Sequence, residues 1–485
     1  MARKRMDVRS TGRKVGAQQR LARYDAIIVG AGISGLGAAR ALSAHGLRVV
    51  VLEARERIGG RISTENHIDL GAHWLHGTRG NPIAELARDL GVPMLLVGGD
   101  SSYAGGREQL ALYCAGGRLS SKLKDQSFAL VDEIFLDVAS LRLKLKRERA
   151  VDMPLASAIA AVMKERNLSA EMRARIAWHL AVVTRDDWAA DADELSTLSA
   201  DDGLAPYDGG DSVFLNGAGD LVAQLAQGLD IRLGQVVRTI TDRNDGVVVS
   251  TDFSDFDGEA VIITLPLGVL KSEAVRFVPS LPDRKTRAIS KLGMGTLTKV
   301  ILIFERPFWR EDQYVFGHLA RNVGDAPTTV INMWKTHRLP ILMMQIGGRL
   351  GGALENWSQE ALSSWAMKSL RDMFGESVPL PREIRLTKWN SDPFARGAYS
   401  FMAVGATPED IDALAAPVGE RVLFAGEATV RMHRACMHGA YASGIREAAR
   451  LIGLGHEGQG RSDRAGAMTA RRSMDALADR EWRAH

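Results

Sequence analysis

Cysteine is nearly absent. The 485-residue sequence has two, Cys114 and Cys436, too few to staple a chain of this length, and no Cys/His spacing matches a zinc site. A disulfide framework and structural zinc are therefore not expected. No run of 18 apolar residues occurs, so no membrane span is expected. The N-terminal segment has no apolar stretch of the kind a secretory signal needs, and it is Arg-rich but Ser-poor, which argues against a transit peptide. A reducing cytoplasm is the expected location. A large charge imbalance is also missing, with 62 Lys and Arg against 58 Asp and Glu, a formal +4. Residues 1–24 hold eight bases and one acid, and residues 461–485 six bases and four acids, so the body between them is at −5. The positive sign belongs to the ends, and no nucleic-acid partner is expected. No internal repeat is present. What remains, 46% hydrophobic and 25% charged residues over this length, describes a globular chain of two domains.

The strongest local pattern starts where the basic tail stops. Tyr24-Asp25-Ala-Ile-Ile-Val29 reads as a buried parallel strand feeding Gly30-Ala-Gly32-Ile-Ser-Gly35 and an apolar helix. Gly30 permits the tight turn, Gly32 lets the backbone approach a pyrophosphate, and Gly35 lets helix and strand pack closely. The helix N-terminus then faces the phosphate charge. Leu47–Leu52 reads as the second strand, ending at Glu53, 18 residues past Gly35. A carboxylate there accepts hydrogen bonds from ribose hydroxyls and disfavours a 2′-phosphate. A glycine fingerprint alone is weak, but the strand, helix and acid agree. Next, Arg55, Gly59, Gly60 and Arg61 offer a second close backbone approach and cationic support, and this extension resembles the FAD-binding version of the fold.

Asp69-Leu-Gly71-Ala-His73-Trp74-Leu-His76-Gly77 follows. With the Arg-Ile-Gly-Gly-Arg run it resembles the flavin-dependent amine oxidase family, most of all the polyamine oxidases and lysine-specific histone demethylases. Further matching segments are Leu215–Leu221, Ile231–Val237, Ala260–Leu270, Leu292–Phe304, Trp389–Ser400, Leu423–Thr429 and His438–Gly444. In order and correctly spaced, they cover roughly residues 24–455. The resemblance implies an α/β chain with a discontinuous Rossmann-like FAD-binding domain (24–95, 212–275 and 405–455). It also implies an α+β substrate-binding domain (96–211 and 276–404), between a basic tail (1–23) and a polar tail (456–485). Within the second domain, helical spacing is expected over 119–146, 154–165 and 171–182, and strands near 296–304 and 341–346.

The family's chemistry is oxidation of an amine C–N bond by hydride transfer to flavin N5, imine hydrolysis and reoxidation by O2 to H2O2. The resemblance puts Lys299 beside the flavin, where burial would lower its pKa. By its strand pattern alone that lysine would sit at an edge or in solvent. His76 matches a catalytic-pocket position and could hold a substrate amine or relay its proton. Tyr399 matches one wall of the aromatic cage, a π-face suited to a cationic or polar amine. Cys436 stands where monoamine oxidases have the second cage tyrosine, which opens the pocket. Ala398 replaces the cysteine that carries covalent flavin in those enzymes, so FAD is expected to be non-covalent. Cofactor contacts are expected from Gly30, Gly32, Gly35, Glu53, Arg55, Gly60, Arg61, Trp74, Val237, Trp389, Gly426, Glu427 and Met437. His73 also lines the cofactor and is read as structural. Glu427 is expected at ribityl or pyrophosphate-region groups, or else as a helix-cap carboxylate.

From Asp186 to Asp211 there are nine acids and no Lys or Arg. This is either an acidic field that concentrates polycations near the pocket entrance or a solvated acidic loop. The expected function is an FAD-dependent amine oxidase of small-molecule amines, polyamines favoured, with O2 as co-substrate. Rivals are an oxidase of a specialised-metabolite amine or an L-amino acid, with Arg396 as the carboxylate partner, and a flavin-bound interaction protein without turnover. A peptide-lysine demethylase would want chromatin-reading segments, and neither a coiled coil nor a reader domain is inserted in this sequence.

Overall fold

A computed structural model of the chain describes residues 23–99, 106–115, 117–164, 166–200 and 207–458. The tails expected over 1–23 and 456–485 lie outside these residues, except for Arg23, whose guanidinium pairs with Glu259 at 2.9 Å, and the last turn of a helix that reaches Gly458.

The first strand, Tyr24–Val29, is central to an eight-stranded sheet ordered Ile231–Arg232, Val49–Leu52, Tyr24–Val29, Asp255–Ile263, Gly246–Thr251, Val237–Arg243 and Arg276–Val278. Its apolar run makes parallel ladders on both sides, Ile27 to Val50 and Ile27 to Val261, and both faces are covered, as a β-branched run without alternation requires. Val422–Phe424 joins the far half of Asp255–Ile263, with Val261 opposite Val422. Strands from three distant segments thus meet on one sheet. Arg276–Val278 lies in this sheet, pairing with Thr239–Thr241, just beyond the expected boundary at 275.

Helix Ile33–Ala44 follows the first strand and packs against helix Met437–Gly458. Small residues set the approach. A Cβ on Gly444 would lie 2.0 Å from the Ser34 carbonyl oxygen, and Ser34 Oγ meets Ser443 Oγ at 3.1 Å.

A second sheet of seven strands is ordered Glu383–Leu386, Leu297–Ile303, Ile341–Gly347, Thr329–Asn332, Val315–His318, Leu110–Cys114 and Gly117–Arg118. Three helices, Ser121–Glu148, Leu155–Met163 and Ala170–Ala181, match the helical spacing read from sequence. The last passes into a π-turn over Val182–Asp186, a local widening that turns side chains off the regular helical path and is frequent at functional sites. A short sheet, Trp74–Leu75 with Asp211–Phe214 and Met94–Gly98, carries the chain between the two larger ones.

Candidate active site

A cavity of about 610 Å³ is lined by the ends of the first sheet's strands, by one face of the second sheet and by the loop before helix Met437–Gly458. This volume is in the range of small-molecule and cofactor sites. At one end the glycine turn forms a cradle. Gly30 has φ +106°, in the left-handed region, and a Cβ on Gly35 would lie 2.0 Å from the Gly30 carbonyl oxygen, so no larger residue fits. Gly32 and Gly59 form a parallel bridge that brings the second glycine pair against the first turn. Glu53 is buried, and its carboxylate accepts from the amides of Ala31 (2.8 Å) and Arg55 (2.9 Å). These bonds fix its orientation and leave lone pairs for ribose hydroxyls. Arg55 donates to Asp392 at 2.7 Å. A strand, a glycine turn with no room for side chains, a helix N-terminus and an oriented acid form a set that fits a dinucleotide.

Most of the residues expected to hold the cofactor line this one cavity, among them Gly30, Gly32, Glu53, Arg55, Gly60, Arg61, His73, Trp74, Val237, Trp389, Gly426, Glu427 and Met437. Gly35 acts from behind, in the turn itself. Trp389 is held by its indole N–H on the Leu70 carbonyl at 3.0 Å. Glu427, which lines the cavity, is also bonded within the protein: Oε1 accepts from Arg61 at 2.8 Å, and Oε2 accepts from the Ser400 hydroxyl at 2.6 Å. Arg61 also donates to the Ala398 carbonyl at 2.8 Å. Glu427 thus ties the last strand of the first sheet to the segment that carries Tyr399.

Lys299 lies on Leu297–Ile303, an interior strand flanked on both sides, and is 2% exposed. This rules out the edge or solvent position that its strand pattern alone would suggest. Its ammonium donates to the carbonyls of Asp69 (2.8 Å) and Gly71 (2.6 Å), and burial lowers its pKa to about 8 despite the nearby Asp69 carboxylate. His73 is buried between Asp69 (3.2 Å) and the Tyr314 hydroxyl (3.4 Å). Desolvation lowers it to about 4, so the ring is neutral at physiological pH, in keeping with a structural part. Trp74 donates to the same hydroxyl at 2.8 Å.

The cavity is also lined by His76, Tyr399, Cys436, Arg396, Trp188 and Asp186. His76 Nδ1 lies 3.2 Å from Asp211 Oδ1. Tyr399 donates its hydroxyl to the Asp186 carbonyl at 2.6 Å, which fixes the plane of the ring, and burial raises its pKa well above the usual phenol value. Burial also raises the Cys436 thiol to about 12, so it stays protonated. Three lining residues, Arg396, His433 and Ala435, have positive φ without being glycine, a concentration of backbone strain typical of a functional centre.

The fold divides the acidic stretch from Asp186 to Asp211. Its members are sorted to separate partners. Asp186 accepts from the hydroxyls of Thr328 (2.7 Å) and Thr329 (2.6 Å), and burial raises its carboxyl to about 7. Asp191 pairs with Arg185 at 2.6 Å and Asp193 with Arg349 at 2.9 Å, Asp211 is buried beside His76, and Asp201 and Asp202 lie outside the described residues. Of the described members, Asp186 and Asp187 line the cavity.

A family model described as flavin containing amine oxidoreductase matches residues 33–452. The chain belongs to that family. Its cofactor is FAD, in keeping with the dinucleotide cradle. Among relatives of this flavin amine oxidoreductase, Polyamine oxidase 4 of Oryza sativa subsp. japonica is 37% identical over 436 residues, 86% of each chain. Lysine-specific histone demethylase 1 homolog 3 of Oryza sativa subsp. indica is 37% identical over 446 residues, covering 88% of this chain and 53% of the relative. The chain thus spans about half the length of the demethylase homologue. A solved putrescine oxidase bound to putrescine superposes with a TM-score of 0.71 at 23% identity, over 89% of this chain and 99% of the other, a likeness of fold.

Among the described residues, no helix is long and apolar enough to cross a membrane, and no group of three or more His, Cys, Asp or Glu is placed to hold a metal ion.

Proposed function

We propose that the chain oxidises small-molecule amines, with polyamines the favoured substrates and O2 the electron acceptor, releasing H2O2. One observation carries this reading. The cavity that is lined by the dinucleotide cradle is also lined by Lys299, on a strand of the second sheet, by the aromatics Tyr399 and Trp188 and by the acidic residues Asp186 and Asp187. Aromatic faces and carboxylates together suit a cationic, extended amine.

When bound, FAD supplies the redox step, taking two electrons from the amine and passing them to O2. The protein's part is to bind, orient and deprotonate. Tyr399, locked by its bond to Asp186, presents its ring to the entering amine. An amine must be neutral to be oxidised, and His76, steadied by Asp211, is placed to take the ammonium proton with its free ring nitrogen. Lys299, with its depressed pKa, handles a proton on the second-sheet wall. Ala398 offers no thiol, so the flavin is held without a covalent bond.

Anaerobic mixing of the holoenzyme with spermine, spermidine, N-acetylated polyamines, tyramine and L-amino acids tests the proposal. Bleaching of the flavin by polyamines ahead of the others supports it. Bleaching led by L-amino acids moves the reading to the amino acid oxidase, with Arg396 as carboxylate partner, and no bleaching by any amine leaves a flavin-bound interaction protein. Acid precipitation should release the yellow colour to the supernatant; colour retained on the pellet would refute the non-covalent link.

A further inference from the structure

Helix Ser121–Glu148 buries Val131, Ile134, Val138 and Leu145 on one side, against helices Leu155–Met163 and Ala170–Ala181. Its opposite side is not that of an ordinary solvent-facing helix. Leu136 is 68% exposed and Leu143 56%, and Ala129, also exposed, precedes Leu136 by the same seven residues that separate the two leucines. Seven residues fall about 20° short of two full turns, so the three side chains stand in one line along the helix. A single exposed leucine is common on a surface, whereas an apolar line with this repeat is the seam along which one helix packs on another.

The charges say which helix fits. From Asp125 to Leu141 the helix carries Asp125, Asp132, Glu133 and Asp137 and no base, and from Arg142 to Glu148 it carries four bases and one acid. A second copy of the same helix, laid antiparallel, brings the acidic half of each against the basic half of the other; laid parallel, it brings like against like. A two-fold axis through Leu136 sets this register. Residues equally far before and after Leu136 then face each other: Ala129 meets Leu143 of the second copy, Asp132 meets Ser140, and Asp125, 11 positions before, meets Arg147, 11 positions after. Asp132 already pairs with Arg107, and Glu133 and Asp137 with Arg166. Among the described residues Asp125 and Arg147 form no ion pair, so the open charges on this face lie at its two ends and are of opposite sign.

We propose that this face is a docking surface for a second copy of the chain, in a two-fold antiparallel pair of Ser121–Glu148 helices centred on Leu136. The paired span from Asp125 to Arg147 is about 33 Å at 1.5 Å per residue. One helix pair of that length lies at the small end of interface sizes, so the dimer is reversible, with a Kd in roughly the micromolar range. Neither Leu136 nor Leu143 lines the cofactor cavity, and the pairing is independent of the substrate.

Sedimentation velocity of the holoenzyme from about 1 to about 100 µM, either side of that Kd, tests the proposal. Wild type should pass from monomer to dimer. Leu136→Glu sets two carboxylates against each other on the axis and should remain monomeric, with its thermal midpoint and flavin content kept because the site is exposed. Arg147→Asp should weaken the dimer by about tenfold, and Asp125→Arg with Arg147→Asp, which restores unlike charges, should recover it. Under mild oxidation Leu136→Cys should crosslink two copies, since only this position meets itself, and Leu143→Cys should not. A wild type that stays monomeric overturns the proposal and leaves the face to a different partner. A dimer that survives Leu136→Glu lies on another surface, and a double charge swap without recovery, or crosslinking through Leu143→Cys as readily as through Leu136→Cys, refutes the antiparallel register.

Discussion

Replacing Lys299 by methionine separates its charge from its bulk. The ammonium is 2% exposed, and its pKa falls from 10.5 to about 8. That shift of roughly 2.5 units, at about 1.4 kcal/mol each, makes the protonated form about 3 kcal/mol less favourable in the fold than in the unfolded chain. Below pH 8 both states carry the proton and the fold bears this full penalty. Between pH 8 and 10.5 the folded protein has released the proton while the unfolded chain still holds it, so stability rises with pH. Above 10.5 both are neutral and the penalty is gone. Methionine cannot donate to the carbonyls of Asp69 and Gly71, but that loss does not depend on pH. In urea titrations from pH 7 to 10.5, the unfolding free energy of wild type minus that of Lys299→Met should climb by about 3 kcal/mol. In parallel, anaerobic flavin reduction by a good amine substrate should be at least roughly tenfold slower in the variant, about 1.4 kcal/mol of barrier. A stability difference flat across this range would refute the buried-ammonium argument. Unchanged reduction kinetics would leave the lysine a structural support.

Gly35→Ala forces a Cβ to within 2.0 Å of the Gly30 carbonyl oxygen, so the turn must open; the purified variant should lose its visible flavin absorbance, and full retention would show that the turn does not form the cradle. Lys285 is 3% exposed and donates to the carbonyls of Ala413 (3.0 Å), Leu414 (2.6 Å) and Ala416 (2.6 Å) at the end of helix Pro408–Ala415. Lys285→Met orphans all three and should cost about 3 kcal/mol in denaturant titration at roughly 1 kcal/mol each, with turnover per folded molecule kept; a loss under about 1 kcal/mol would mean that solvent replaces the lysine.

The parts of the fold that were legible in the sequence are those set by neighbours along the chain. The strand from Tyr24, the glycine turn and Glu53 lie within 30 residues, and period and spacing suffice for them. Helix Ala170–Ala181 was likewise visible, but its widening into the π-turn that brings Asp186 to the cavity leaves no periodic trace. Lys299 could not be placed from its own strand, because burial there depends on Ile341–Gly347 and Glu383–Leu386 pairing on either side. The bond from Arg61 to Glu427 joins residues 366 positions apart, and no local pattern announces such a partner.

Charge shows the same limit more sharply. Counted along the chain, the run from Asp186 to Asp211 is a block of one sign, and a block of one sign suggests a field. Folding divides it by assigning partners from elsewhere: Arg349 takes Asp193, Arg185 takes Asp191, two threonines hold Asp186, and His76 meets Asp211. What then acts on a substrate is not the sum of the charges but the few polar groups whose partners the protein has not supplied. Gln345, buried and lining the cavity, was present in the sequence as a single amide inside an otherwise apolar strand. Polar residues that interrupt a buried run carry more information about a ligand than acidic residues gathered in a row, because the first must find a partner inside the fold and the second can find one in water.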